Sequence, residues 1–155
     1  MSRLRNSVKA VIIEEGKILF NKMNSKSNGE EFFILPGGGQ NPGETFVKTI
    51  KRECLEELGA EVEVSKLILV REYIGKNHEF AEKDSDIHQI EYMFRCNLST
   101  NVNLNKAVEF DYQQVGHQWI ELKELSLWNV YPKILKEVFD EEGSVLSDVY
   151  LGDLN

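Results

Sequence analysis

"GGGQNPGETFVKTIKRECLEELGA", residues 37–60, joins three consecutive glycines and a Pro-Gly pair to a run with helical spacing over 45–58, which Gly59 closes in the C-terminal capping position. Three glutamates, Glu53, Glu56 and Glu57, crowd the second half of that run. On an ideal helical wheel Phe46, Val47, Ile50, Cys54 and Leu58 share an arc of about 120°, the face expected to be buried. Glu57 falls inside the arc and Glu53 on its edge, with Glu56 close by, whereas Lys48 and Arg52 take the opposite side. A solvated charged face would set its acids opposite the apolar arc. Desolvating an ionised carboxylate costs several kcal/mol unless something compensates, and Glu53 and Glu57, four residues apart, repel each other. Arg52 can pair with Glu56 four residues on, but one arginine does not neutralise three acids. A divalent cation resolves the conflict, since Mg²⁺ takes oxygen ligands from a few carboxylates together with waters and substrate phosphates.

The flanking sequence supplies a sheet for this helix. Residues 7–23, "SVKAVIIEEGKILFNKM", read as a hairpin turning at Glu15-Gly16, and "EFFILP" at 31–36 as a third strand that runs into a glycine loop. Further strands are expected over 61–75, 88–98 and 115–122, and a terminal helix over 129–142 with Pro132 in its first turn. The order predicts a mixed sheet covered by helices, an α+β or α/β sandwich, in one domain spanning 1–155.

A net charge of −8 excludes a general electrostatic footprint for nucleic acid or an anionic membrane, so a phosphate-bearing substrate needs local help from Arg, Lys, backbone N–H groups or a bound cation. Cys54 and Cys96 lie in no CxxC or Cys/His pattern and are expected to be core thiols. The N-terminus lacks a run fit for a signal peptide or membrane span, and the expected location is cytoplasmic.

Gly38, Glu44, Arg52, Glu53, Cys54, Glu56, Glu57, Gly59 and Ala60 stand at the spacing of G-x5-E-x7-REUxEExGU, where U is aliphatic. The chain therefore resembles the Nudix hydrolases, with Cys54 and Ala60 as small substitutes at the aliphatic positions. The resemblance implies a mixed-sheet α/β/α sandwich that uses Mg²⁺ or Mn²⁺ to hydrolyse a nucleoside diphosphate linked to another moiety. It implies cation ligation by Glu53 and Glu57, Glu56 as a further ligand or the base for the attacking water, and Arg52 orienting the glutamates. Glu44 would support the loop, Gly38 opens the box, and the Gly37 carbonyl is a candidate ligand. Dimers are common in that family, which makes a homodimer a state to consider.

Outside the box, Glu91 and Glu109 are candidate additional acids, with Asp111 beside Glu109 in a late loop. Phe32, Arg71 and Tyr73 are candidate contacts for a nucleoside and its phosphates, while His88 and Trp119 read as structural. The substrate stays open among ADP-ribose and other nucleotide sugars, dinucleoside polyphosphates and noncanonical nucleoside triphosphates. A non-catalytic nucleotide-binding module is the alternative, disfavoured because the box keeps all its glutamates. An isoprenoid diphosphate isomerase on this fold would need a cysteine and acid pair in the pocket, and nothing in the sequence supports one.

Overall fold

The computed structural model describes residues 3–107 and 113–155, so Glu109 and Asp111 lie outside the described residues. Strands β1 (Arg3–Glu14) and β2 (Lys17–Asn24) form the expected hairpin. Its turn residues Glu15 and Gly16 both have positive φ, 50° and 75°, as a tight turn matched to the right-handed strand twist requires. Strand β3 (Glu31–Ile34) leads to β4 (Gly37–Gly39), where the anticipated loop is instead a short strand paired antiparallel with Ser7–Lys9 of β1. Then follow α1 (Phe46–Leu58), β5 (Val62–Ile74), a short α2 (Ala81–Asp84), β6 (Ile87–Leu98), β7 (Gln114–Glu121), β8 (Val130–Tyr131) and β9 (Tyr150–Asp153). The sheet runs β8-β3-β2-β1-β6-β5-β9, with β4 and β7 pairing β1 and β2 off that path. It is mixed, because β1–β6, β3–β8 and β5–β9 are parallel and the remaining pairs antiparallel.

Alternation along β1 divides the core. Val8, Ala10 and Ile12 pack with Ile50, Cys54 and Leu58 of α1, while Val11 and Ile13 face the opposite cluster with Leu122, Leu125, Leu135 and Val138. Trp119 and both cysteines join the α1 side as packing residues, as expected.

Thr45 caps α1 by accepting from the Lys48 N–H at 3.2 Å, and Gly59 ends the helix at φ +60°. The buried stripe is narrower than the wheel implied. It holds Thr49, Ile50, Cys54 and Leu58, whereas Val47 is 41% exposed.

The terminal helix over 129–142 does not form as an α-helix. Only a single 3₁₀ turn, Lys133–Lys136, occurs there, preceded by β8 and followed by a bridge between Phe139 and Val145. Val130 and Tyr131 spend their backbone pairing with Phe33 and Ile34, and the residue before a proline is driven toward extended geometry. The apolar residues that suggested a helix, Leu135 and Val138 among them, are buried against the sheet all the same. Among the described residues no helix is long and apolar enough to cross a membrane.

Candidate active site

Arg52 is the hub of the box. Its Nε and Nη2 donate to the two Glu44 oxygens at 2.8 and 2.9 Å, Nη1 donates to Glu53 Oε1 at 2.9 Å and to Glu56 Oε2 at 3.4 Å, and Nη2 also donates to the Gly39 carbonyl at 3.1 Å. The wheel set Arg52 on the far side of the helix, but its long side chain curls back over the acids. This fork holds the Glu44 carboxyl down at about 2, helped by the Asn41 N–H. Glu44 thus ties α1 to the glycine segment through Arg52. The segment needs glycine at its start, since Gly37 has φ +140° and a Cβ there would lie 2.1 Å from the Val8 carbonyl oxygen.

Glu57 is treated differently. Its Oε2 accepts from Asn21 Nδ2 at 2.7 Å and from the Gly37 N–H at 3.0 Å, and Gln114 Nε2 donates to its backbone carbonyl at 3.2 Å. Burial nevertheless lifts its pKa from 4.5 to about 7; nearby Lys9 and the two hydrogen bonds oppose the rise, and Glu53 adds a little to it. Desolvation, more than the Glu53–Glu57 repulsion, is the source of the strain. Lys9, whose ammonium lies 3.5 Å from the Gly37 carbonyl, is the counter-charge that the sequence did not disclose.

A pH dependence follows. The folded state binds the Glu57 proton more tightly than the unfolded chain, so in EDTA stability is greatest with respect to this group below about pH 4.5 and declines until about pH 7. The expected loss is on the order of 2–3 kcal/mol. His117, whose pKa burial lowers, contributes the opposite slope nearby, so the informative quantity is a difference between proteins. Between pH 5 and 8 in EDTA the urea midpoint of Glu57→Gln should rise relative to wild type, and parallel curves would refute the assignment.

The three box glutamates line a cleft of about 640 Å³ together with Gly37–Gly39, Arg5, Lys9, Arg52 and Asn21. Among the described residues no three acidic, histidine or cysteine side chains are gathered tightly enough to enclose a cation by themselves. The set still fits one. Its uncharged and anionic donors are all oxygens, the choice of a hard cation, and Mg²⁺ is commonly held by one or two carboxylates while keeping waters and substrate phosphates as its other ligands.

At Gln89 this cleft meets a second one of about 480 Å³, walled by Phe32, Tyr73, Phe80 and Tyr131 and edged by Asn129, Asp84 and Arg71. The structure therefore brings together all three sequence-predicted contacts, Phe32, Arg71 and Tyr73.

Glu91 is a correction. It does not line the acidic cleft but is 3% exposed and paired with Arg71, itself 7% exposed, through Nε–Oε1 at 3.0 Å and Nη2–Oε2 at 3.4 Å. The two stand opposite each other in the β5–β6 register. Burial works against the charge on Glu91, yet Arg71 and Lys9 outweigh it and hold the carboxyl below its ordinary value. His88 contacts Glu72 at 3.1 Å, in keeping with its structural reading. Asn21, Lys9, Gln89 and Gln114 were missed; their only signal was a polar residue inside an apolar strand, as in "ILFNKM".

A sequence profile of the NUDIX domain matches residues 3–140, so the chain belongs to the Nudix family, a class of pyrophosphohydrolases. The nucleoside triphosphatase NudI of Salmonella agona (strain SL483) is 26% identical over 131 residues, covering 83% of this chain and 89% of the relative. A Nudix hydrolase from Nitrosomonas europaea superposes with a TM-score of 0.71 at 16% identity over 93% of this chain and 94% of its own. An ADP-ribose pyrophosphatase from Streptococcus suis superposes with a TM-score of 0.60 at 17% identity, covering 96% of this chain and 98% of its own. These two structures share the fold.

Proposed function

We propose that this chain, as one Nudix domain, hydrolyses a pyrophosphate bond in a nucleoside diphosphate linked to another moiety, using Mg²⁺ or Mn²⁺. The observation that carries the reading is the junction at Gln89 of an acid-lined cleft with an aromatic one. A nucleoside has an aromatic base to stack and edges to hydrogen-bond, which the second cleft suits, and its phosphates then extend over the glycine segment. Arg5, Lys9 and Arg52 supply local positive charge there despite the net charge of −8.

Glu53, Glu56 and Glu57 would hold the cation, with the Gly37 carbonyl as a further candidate once released by Lys9. Bound there, the cation lowers the pKa of water and relieves charge on the phosphate oxygens. The protein's part is positional. Arg52 fixes Glu53 and Glu56, Glu44 fixes Arg52, and Glu56 is the candidate base for the attacking water. Among substrates, nucleoside triphosphates have the support of the NudI relative, and ADP-ribose that of the Streptococcus suis neighbour.

The test is a panel of nucleoside triphosphates, ADP-ribose, UDP-sugars and dinucleoside polyphosphates, assayed with each cation for phosphate or mononucleotide release. Hydrolysis of at least one class is expected. Binding without hydrolysis across the panel favours the non-catalytic module instead.

A further inference from the structure

We propose that Asn21 is a positioning residue that fixes which oxygen of Glu57 faces the cleft and thereby sets cation affinity. The inference rests on Glu57 being a cation ligand, as proposed above. Both donors to the Glu57 carboxylate, Asn21 Nδ2 at 2.7 Å and the Gly37 N–H at 3.0 Å, fall on Oε2. Among the described residues Oε1 receives none, so one oxygen is anchored and the other is available.

A second observation separates this from ordinary packing. Asn21 is 2% exposed, and its buried Oδ1 has no hydrogen-bond partner among the described residues. Leaving a buried amide oxygen unpaired costs stability. Leu19 and Met23, two residues to either side on the same face of β2, are buried apolar side chains, so an apolar residue would suit position 21 without that cost. The strand does not need the amide either, because β2 already pairs through its backbone with β3 and β7. What the amide provides is its donor to Glu57.

Gln114 on the neighbouring β7 repeats the pattern. It is 7% exposed, its Nε2 donates to the Glu57 backbone carbonyl, and its buried Oε1 has no hydrogen-bond partner among the described residues. Two carboxamides on adjacent strands thus grip one residue, each with an orphaned oxygen. Ligand-orienting partners of this kind typically alter metal affinity 10- to 100-fold, roughly, when removed.

The test uses Mn²⁺ as the probe on the full, substrate-free chain, with the free ion counted by electron paramagnetic resonance. Asn21→Leu should raise the Mn²⁺ Kd by about tenfold or more, in a protein that still unfolds in a single cooperative urea transition in EDTA. Asn21→Ala, which demands no new packing, should show the same loss of affinity and serves if leucine prevents folding. A wild type that binds Mn²⁺ saturably beside folded variants with Kd within about twofold of it would overturn the positioning role alone. A wild type with no saturable Mn²⁺ binding would overturn the cation reading and this inference with it.

Discussion

Glu57→Gln, Glu53→Gln and Glu56→Gln should each lower turnover by about two orders of magnitude or more while leaving the protein folded. An amide keeps the shape of the carboxylate but is a poor ligand for a hard cation and no base near neutral pH. Glu57→Gln is the most telling of the three. Its environment offers one anchoring amide, one backbone N–H and burial that disfavours charge, so the folded cation-free protein should tolerate the neutral side chain well. In EDTA at pH 8 the variant should therefore unfold at a higher urea midpoint than wild type, and Mg²⁺ should stabilise wild type more than the variant. Loss of activity combined with gain of cation-free stability separates a functional carboxylate from a structural one. Near wild-type turnover of Glu57→Gln at saturating Mg²⁺ would falsify the site.

The second large effect concerns the Arg71–Glu91 pair. Arg71→Met removes both hydrogen bonds to Glu91 and the 2.8 Å bond from Nη1 to the Leu154 carbonyl, leaving an acid buried in the sheet. Breaking one side of a buried ion pair costs about 3–5 kcal/mol, a large share of a typical domain's stability. Replacing both partners, as Arg71→Met with Glu91→Leu, should restore much of that loss because no charge then stays buried. Urea unfolding of the single and double variants measures both. A single variant within about 0.5 kcal/mol of wild type would show that the pair contributes little and that Lys9 and the Gln89 amide suffice for Glu91.

How far these sites were legible depended on whether the relevant distance lay along the chain or across it. Glu53, Glu56 and Glu57 could be read because one helix carries them, and helical periodicity alone puts Glu57 among apolar neighbours. The wheel failed for Val47 and Arg52 for the same reason. It gives a direction from the helix axis, but neither what packs along it nor the reach of a guanidinium. Glu91 and Arg71 are 20 residues apart and meet only through the β5–β6 register, which the sequence does not specify on its own. Asn21, Lys9 and Gln114 reach Glu57 or the glycine segment because β2, β1 and β7 are paired beside α1. The expected terminal helix followed a real apolar period, but the backbone of Val130 and Tyr131 was claimed by β3.

The central claim is that the box carboxylates work by holding a divalent cation against a nucleoside phosphate. Its most direct test is turnover of the best panel substrate by protein stripped with EDTA and dialysed, followed by titration with Mg²⁺. The expected result is no turnover above background in the stripped protein and saturable recovery as Mg²⁺ is added. Full turnover by the stripped protein in EDTA would contradict the account.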